Sequence, residues 1–268
     1  MYYLIGAVLL VFFLIILARL FERSNIYFPD RMIVATPSSI TLPYEDVYFN
    51  SQDGVKLHGW FVPGGNPPRG TIIFCHGNAG NISHRLDIIK RLNKMGMNVF
   101  MFDYRGYGKS GSFPSEKGTY LDVLAAYEYL STRPDVDMDR IVAYGKSLGG
   151  ALSAYLAAEK DVRVVIIDST FTSTTDMAKE IYPFLPADLV MTIKYDTLAR
   201  IGDVKEPKLI IHSEDDEIVP FDHGRRIFES ATEPKEFYRI RGGHNDAMFL
   251  YEDEYFDRID EFFKKNGM

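Results

Sequence analysis

The chain has 268 residues, of which 46% are hydrophobic, 14% aromatic and 25% charged, a composition that excludes a disordered, collagen-like or low-complexity protein. Thirty Lys and Arg against 37 Asp and Glu leave a net charge of -7, the wrong sign for the electrostatic footprint of a nucleic-acid binder. Cys75 is the one cysteine, so no internal disulfide can form; with no CxxC or Cys/His zinc spacing, no metal is expected and a reducing compartment is favoured.

Residues 2–18, YYLIGAVLLVFFLIILA, carry no charged side chain and as a helix would span roughly 25 Å, the short end of a bilayer crossing. Leu20 and Phe21 extend the apolar run past Arg19, whose long side chain can snorkel to the interface. No basic stretch precedes the run and no small-x-small cleavage site follows it. Residues 1–23 therefore read as an uncleaved single-pass anchor rather than a signal peptide. Arg19, Arg23 and Arg31 all follow the apolar run, and the positive-inside rule then puts the globular part on the cytoplasmic side. Residues 24–44, with three prolines and little periodicity, read as a connector packed over a catalytic domain at 45–268.

Val47 and Phe49, then Val55, Leu57 and Phe61, alternate on either side of Ser51-Gln52-Asp53-Gly54, the pattern of a half-buried hairpin at a sheet edge. Runs apolar at nearly every position follow near 71–75, 97–102, 140–144, 163–167, 208–212 and 236–240, as in strands covered on both faces. Helical spacing fills the gaps: Ile82, Leu86, Ile89 and Leu92; Tyr120, Val123, Leu124 and Tyr127; Leu148, Leu152 and Leu156; Phe256, Ile259 and Phe263. This alternation predicts an α/β fold, a mostly parallel sheet with helices on both faces. The connection between Asp168 and Lys208 is longer than the rest and rich in Phe, Met, Ile and Leu. Pro183 and Pro186 break it, predicting two short helices, and its position predicts a small lid over about 169–207.

Gly145-Lys146-Ser147-Leu148-Gly149 is a GxSxG sequence directly after the strand RIVAY and directly before a helical pattern. In such a turn flanking side chains would collide, hence the glycines, and Ser147 stands at the tip as a candidate nucleophile. A serine hydroxyl needs a base. Of six histidines, His58 and His84 read as surface residues, while His212 ends a strand and His223 begins a helix. His76 follows the strand TIIFC, and His244 lies in Gly242-Gly243-His244-Asn245-Asp246 after the last strand. His244 is the better base, because a loop at the carboxyl end of the final strand can carry an imidazole over the nucleophile. For the carboxylate that orients it, Asp216 in the order Ser, Asp, His is the leading candidate; its neighbour Asp215 is barely separated by pattern, and Asp168 is a third. Oxyanion donors would be the backbone amide of Leu148 and, in the turn after His76-Gly77, that of Asn78 or Ala79, Asn78 being the leading candidate.

Together these stretches resemble the α/β-hydrolase superfamily of serine hydrolases, in particular its single-pass membrane-anchored branch, which includes depalmitoylase-like enzymes. The resemblance rests on HGNAGN at 76–81, DYRGYGKS at 103–110, GKSLGG at 145–150, HSEDDEIVP at 212–220 and GGHND at 242–246, and covers about residues 45–265. It implies an α/β-hydrolase fold with the nucleophile at Ser147, the histidine at His244 and the acid at Asp216, three before the valine of the Val-Pro pair. Ser213 stands where most relatives have glycine, and the cysteine-rich amino terminus of the depalmitoylase subgroup is absent, Cys75 lying in a core strand. The implied activity is cleavage of ester or thioester bonds, carboxylesterase, lipase or acyl-protein thioesterase-like, by a membrane-tethered enzyme that needs no cofactor. Its substrate would be a small-molecule or lipid-like acyl ester. Two other classes share the scaffold: serine peptidases or amidases, which usually add a large gating domain, and non-catalytic scaffolds that keep the fold.

Overall fold

The computed structural model describes residues 2–268. Helix α1 (Tyr2–Ile26) is apolar on every side over its first two thirds and makes its first contacts with the rest of the chain near its carboxyl end. A two-residue strand, β1 (Phe28–Pro29), comes next, and then the hairpin β2 (Glu45–Asn50) and β3 (Lys56–Val62), β4 (Thr71–Cys75), the short β5 (Ala79–Gly80), α2 (Leu86–Lys94) and β6 (Asn98–Asp103). Helix α3 (Glu116–Ser131) leads to β7 (Ile141–Lys146), α4 (Leu148–Glu159) and β8 (Val164–Asp168). Three short helices, α5 (Thr174–Ile181), α6 (Ala187–Val190) and α7 (Thr197–Ile201), precede β9 (Lys208–Ser213). The chain closes with α8 (Phe221–Ser230), β10 (Lys235–Ile240), α9 (Ala247–Leu250) and α10 (Glu252–Lys265).

Eight strands form one sheet in the order β10-β9-β8-β7-β4-β6-β3-β2, parallel from β10 through β6, with β3 and β2 added antiparallel at the far edge. Period-two alternation divides the apolar strands between two cores. Ile73, Cys75, Phe100 and Phe102 face one side; Ile72, Phe74, Val99 and Met101 face the other. The first core is closed by α3, α4 and α8, the second by α2 and α10. Each such aliphatic or phenyl side chain contributes about 1.5–3 kcal/mol on burial, which is why the central strands tolerate no polar alternation.

Two expectations require correction. The Asp168–Lys208 connection holds three helices, not two. Pro183 and Pro186 separate α5 from α6 as their ring geometry requires, but a third helix starts after Asp196, whose carboxylate caps it by accepting the Ala199 amide at 2.9 Å. His58 is buried, not on the surface. The chain after β6 folds over β3, with Ser110 accepting the His58 amide at 2.9 Å, and the imidazole contacts Asp46 at 2.6 Å. β3 therefore pairs on both sides and is buried along nearly its whole length, whereas β2 keeps the half-buried pattern.

Candidate active site

β7 ends at the centre of the sheet and the chain reverses into α4 in one residue. Ser147 makes that turn at φ 55°, ψ -122°, a region that non-glycine residues occupy at a cost of about 1–3 kcal/mol. The surroundings hold it there: its amide donates to the Asp168 carbonyl at 2.8 Å, and its carbonyl accepts from the Gly150 amide at 2.9 Å and the Thr170 hydroxyl at 3.0 Å. The glycines are required sterically. A Cβ at Gly145 would lie 2.0 Å from the Gly149 carbonyl oxygen, and one at Gly149 would lie 1.9 Å from that of Cys75. The serine side chain makes no capping bond to its own helix and faces a cavity.

His244 lines the same cavity from the loop after β10. Its Nδ1 bonds Asp216 Oδ2 at 2.8 Å and its amide donates to Glu217 at 2.9 Å, so the ring orientation is set by the acid loop after β9. Asp216 Oδ1 accepts the amides of Ile218 at 3.0 Å and Val219 at 2.7 Å. Burial acts to raise the Asp216 carboxyl, but the hydrogen bond and charge of His244, with the two amides, outweigh it and hold the group below the usual carboxylate range. A carboxylate that stays ionised at Nδ1 fixes the tautomer that leaves Nε2 free to take a proton.

The other acids are separated from His244. Asp215 accepts the Gly242 amide and pairs with Arg241 at the surface. Asp168 is buried beneath the turn, where it accepts from Ser169 and Tyr255 and pairs with Lys146 at 3.1 Å. Among the other histidines, His76 is buried against the ring of Tyr104; His212 donates to the Val219 carbonyl and is pushed toward its neutral form by burial; His223 accepts the Thr172 amide. None of those three lines the cavity, whereas His84 stands at its rim. Ser213 has its own task. Its hydroxyl donates to the Gly242 carbonyl and accepts the Asp215 amide, tying the acid loop to the histidine loop.

Opposite Ser147 runs the turn after β4. A Cβ on Gly77 would stand 3.7 Å from that of Ser147, so this turn lies directly against the serine. Asn78 is braced by its polar groups: its carbonyl accepts from Phe28 N–H at 3.0 Å and Tyr107 O–H at 2.7 Å, and its side-chain amide donates to the Ile26 carbonyl at 2.8 Å. Among the described residues the Asn78 amide has no backbone acceptor, and Leu148, first in α4, has no carbonyl of its own helix to bond. The cavity has a volume of about 620 Å³ and is mainly apolar, with Phe171, Met177, Leu185, Met248 and Phe249 on its walls. Sequence reasoning missed one wall: Ala18, Phe21, Glu22, Asn25 and Ile26, the last turns of α1. The available signal was Glu22, an acidic side chain at the end of the apolar run, between Arg19 and Arg23, which is costly at a bilayer edge unless it has a dedicated partner. Among the described residues no group of three His, Cys, Asp or Glu is arranged to hold a metal.

Residues 70–192 match the family model described as alpha/beta hydrolase fold. An alpha/beta hydrolase domain-containing protein of Arabidopsis thaliana, WAV2, is 37% identical over 234 residues, covering 79% of this chain and 76% of its own. This chain belongs to the α/β-hydrolase family. Protein bem46 of Schizosaccharomyces pombe is 34% identical over 263 residues, 92% of this chain and 87% of that one. Among solved structures, an esterase of Pyrococcus furiosus superposes with a TM-score of 0.76 at 25% identity, covering 90% of this hydrolase-fold chain and 97% of the esterase. An acylaminoacyl peptidase of Pyrococcus horikoshii shares the fold at 20% identity and a TM-score of 0.66, with 44% of its chain covered.

Proposed function

We propose that this protein is a membrane-tethered serine hydrolase that cleaves ester or thioester bonds through an acyl-enzyme. The observation that carries the reading is the convergence on one apolar cavity of Ser147, held at positive φ on the turn into α4, and His244, oriented by the 2.8 Å bond to Asp216. Ser147 Oγ attacks the substrate carbonyl while His244 Nε2 takes the hydroxyl proton. The oxyanion that forms accepts from the amides of Leu148 and Asn78, worth about 3–4 kcal/mol per donor. The intermediate collapses as the alcohol or thiol leaves with the proton from His244. Water then attacks the acyl carbonyl, giving its proton to His244 and releasing the carboxylic acid and free Ser147. Asp216 remains ionised and stabilises the imidazolium in both halves.

Three features favour an acyl ester over a peptide and a tether over free solution. The cavity is walled by aliphatic and aromatic side chains, within the roughly 300–1,000 Å³ range of small-ligand sites. The esterase of Pyrococcus furiosus aligns along nearly its full length. Helix α1 is long and apolar enough to cross a membrane, and its last turns are packed into the domain, as a retained helix would be. The test is turnover of p-nitrophenyl esters from acetate to palmitate by the full-length protein in detergent, with Ser147→Ala beside it. Serine-dependent ester turnover is the expected result. Equal turnover by both proteins, or cleavage confined to aminoacyl amides, would refute the proposal.

A further inference from the structure

Helix α1 enters the domain through one acidic side chain. Glu22, buried, accepts the amides of Thr192 at 2.6 Å and Ile193 at 2.8 Å through Oε1, and the Thr192 hydroxyl at 2.7 Å and Arg19 at 3.0 Å through Oε2. Arg19 in turn reaches the Val190 carbonyl at 2.7 Å. These contacts fall on the end of α6 and the segment just after it, where Val190 and Met191 form part of the cavity wall. Beside Glu22 in sequence, the ring of Phe21 stands 6.4 Å from that of Tyr182 on the same insertion, and both rings line the cavity. A membrane helix that served only as a tether would need none of these contacts, since an ionised carboxylate is stabilised more cheaply in water.

The surroundings point to what enters. Residues 4–17 of α1 expose their apolar side chains on all sides, as a helix in lipid does. On the insertion latched to that helix, Phe184 and Leu189 are 84% and 85% exposed, and Ile181 is also exposed. Large apolar side chains at such exposure beside an apolar helix are costly in water and favourable at the edge of a bilayer. Ala18 and Phe21 of the helix and Ile181, Tyr182 and Leu185 of the insertion line the cavity that holds Ser147, so both apolar elements lead into it.

We infer that the last turns of α1 are a wall of the substrate pocket, latched to the insertion by Glu22, and that this wall selects long acyl chains drawn directly from the leaflet in which α1 is embedded. The substrate class is a long-chain acyl ester or thioester whose chain stays in contact with lipid while its carbonyl reaches Ser147. Phe21 is the specificity residue and Glu22 a positioning residue, acting through the segment at 190–193. The substrate half of this inference rests on Ser147 being the nucleophile.

The test uses the full-length protein in phosphatidylcholine nanodiscs, with p-nitrophenyl butyrate and palmitate as probes. Phe21→Ala and Glu22→Ala should each lower the palmitate-to-butyrate ratio of kcat/KM on the order of tenfold, mainly through the KM for palmitate, because apolar area offered to the chain is lost. Glu22→Gln, which keeps the acceptor for the two amides, should fall between. A ratio within twofold of the unmodified protein in both alanine variants would overturn the pocket-wall assignment. Hydrogen exchange at the Thr192 and Ile193 amides reads the latch without any chemistry: it should accelerate at least about tenfold in Glu22→Ala, the change that follows when a buried hydrogen bond is lost. Unchanged exchange there overturns the latch. If the unmodified protein turns over no ester, the Ser147 reading and the substrate class fall together, while exchange still decides whether α1 is built into the pocket.

Discussion

Gly149→Ala probes the packing that holds Ser147 at the turn into α4. The added Cβ would lie 1.9 Å from the Cys75 carbonyl oxygen, where real Cβ contacts stay beyond 3.0 Å. Backbone stands on both sides, so α4 and β4 must separate by roughly 1.1 Å, an overpacking strain that typically costs 1–3 kcal/mol. For a domain of this size about 2–4 °C of Tm is lost per kcal/mol, so the melting temperature should fall by roughly 2–12 °C. The same separation moves Ser147 away from the turn at Gly77-Asn78, and misplacement on the order of 1 Å is enough to cost about 10²-fold in kcat. Gly202→Ala is the control: it sits at φ -67° after α7 with its nearest contact at 3.9 Å, so it should be neutral or slightly stabilising. The assay is thermal unfolding followed by near-UV circular dichroism, with ester turnover on the same samples. A Gly149→Ala protein with unchanged Tm and turnover within twofold would refute the reasoning, because α4 would then not be held against β4 as described.

Other predictions follow from the same geometry. Asp216→Asn should lower kcat by on the order of 10³–10⁴ by presenting the wrong partner to His244 Nδ1, whereas Asp215→Asn, at the surface beside Arg241, should stay within about threefold; steady-state kinetics on the two separates them. Because the folded Asp216 carboxyl titrates below its unfolded value, its contribution to stability is complete above about pH 4 and is lost as pH falls through the lower folded value. The Tm difference between the unmodified protein and Asp216→Asn should therefore shrink below about pH 4, and a difference constant down to pH 2 would contradict this. Arg105→Ala should cost about 3–5 kcal/mol in denaturant unfolding, since it strands the buried Asp122, to which Arg105 donates from its amide, Nε and Nη2. A loss below about 1 kcal/mol would show that this buried pair carries little.

Much of this architecture is legible in the sequence because parallel strands covered on both faces write themselves as unbroken apolar runs. TIIFC, RIVAY and VVIID each match a strand to within a residue or two. The turn at Ser147 is legible for a related reason: only glycine fits where α4 backs onto β4, so the steric constraint appears directly as GxSxG. What was not legible depends on long-range contacts between polar groups. His58 reads as a surface residue because nothing local announces that Asp46 and Ser110 will enclose it. Asp215 and Asp216 are alike by pattern; they differ in that one side chain turns outward to Arg241 and the other inward to His244. The apolar amino-terminal helix offered only its hydropathy. Hydropathy says that a helix can cross a bilayer, and is silent on Ile26 accepting from Asn78 and Glu22 accepting from Thr192 and Ile193. A domain cut at residue 25 would lose Phe21 and Glu22 from the cavity wall.

The most direct test of the account is covalent trapping of the nucleophile. The full-length protein in detergent is treated with a fluorophosphonate, digested and read by mass spectrometry, with Ser147→Ala and His244→Ala in parallel. The account predicts one phosphonyl adduct, on Ser147, absent from Ser147→Ala and slowed by orders of magnitude in His244→Ala, where no base removes the hydroxyl proton. A folded protein that takes no adduct, or an adduct on another residue that persists in Ser147→Ala, would contradict it.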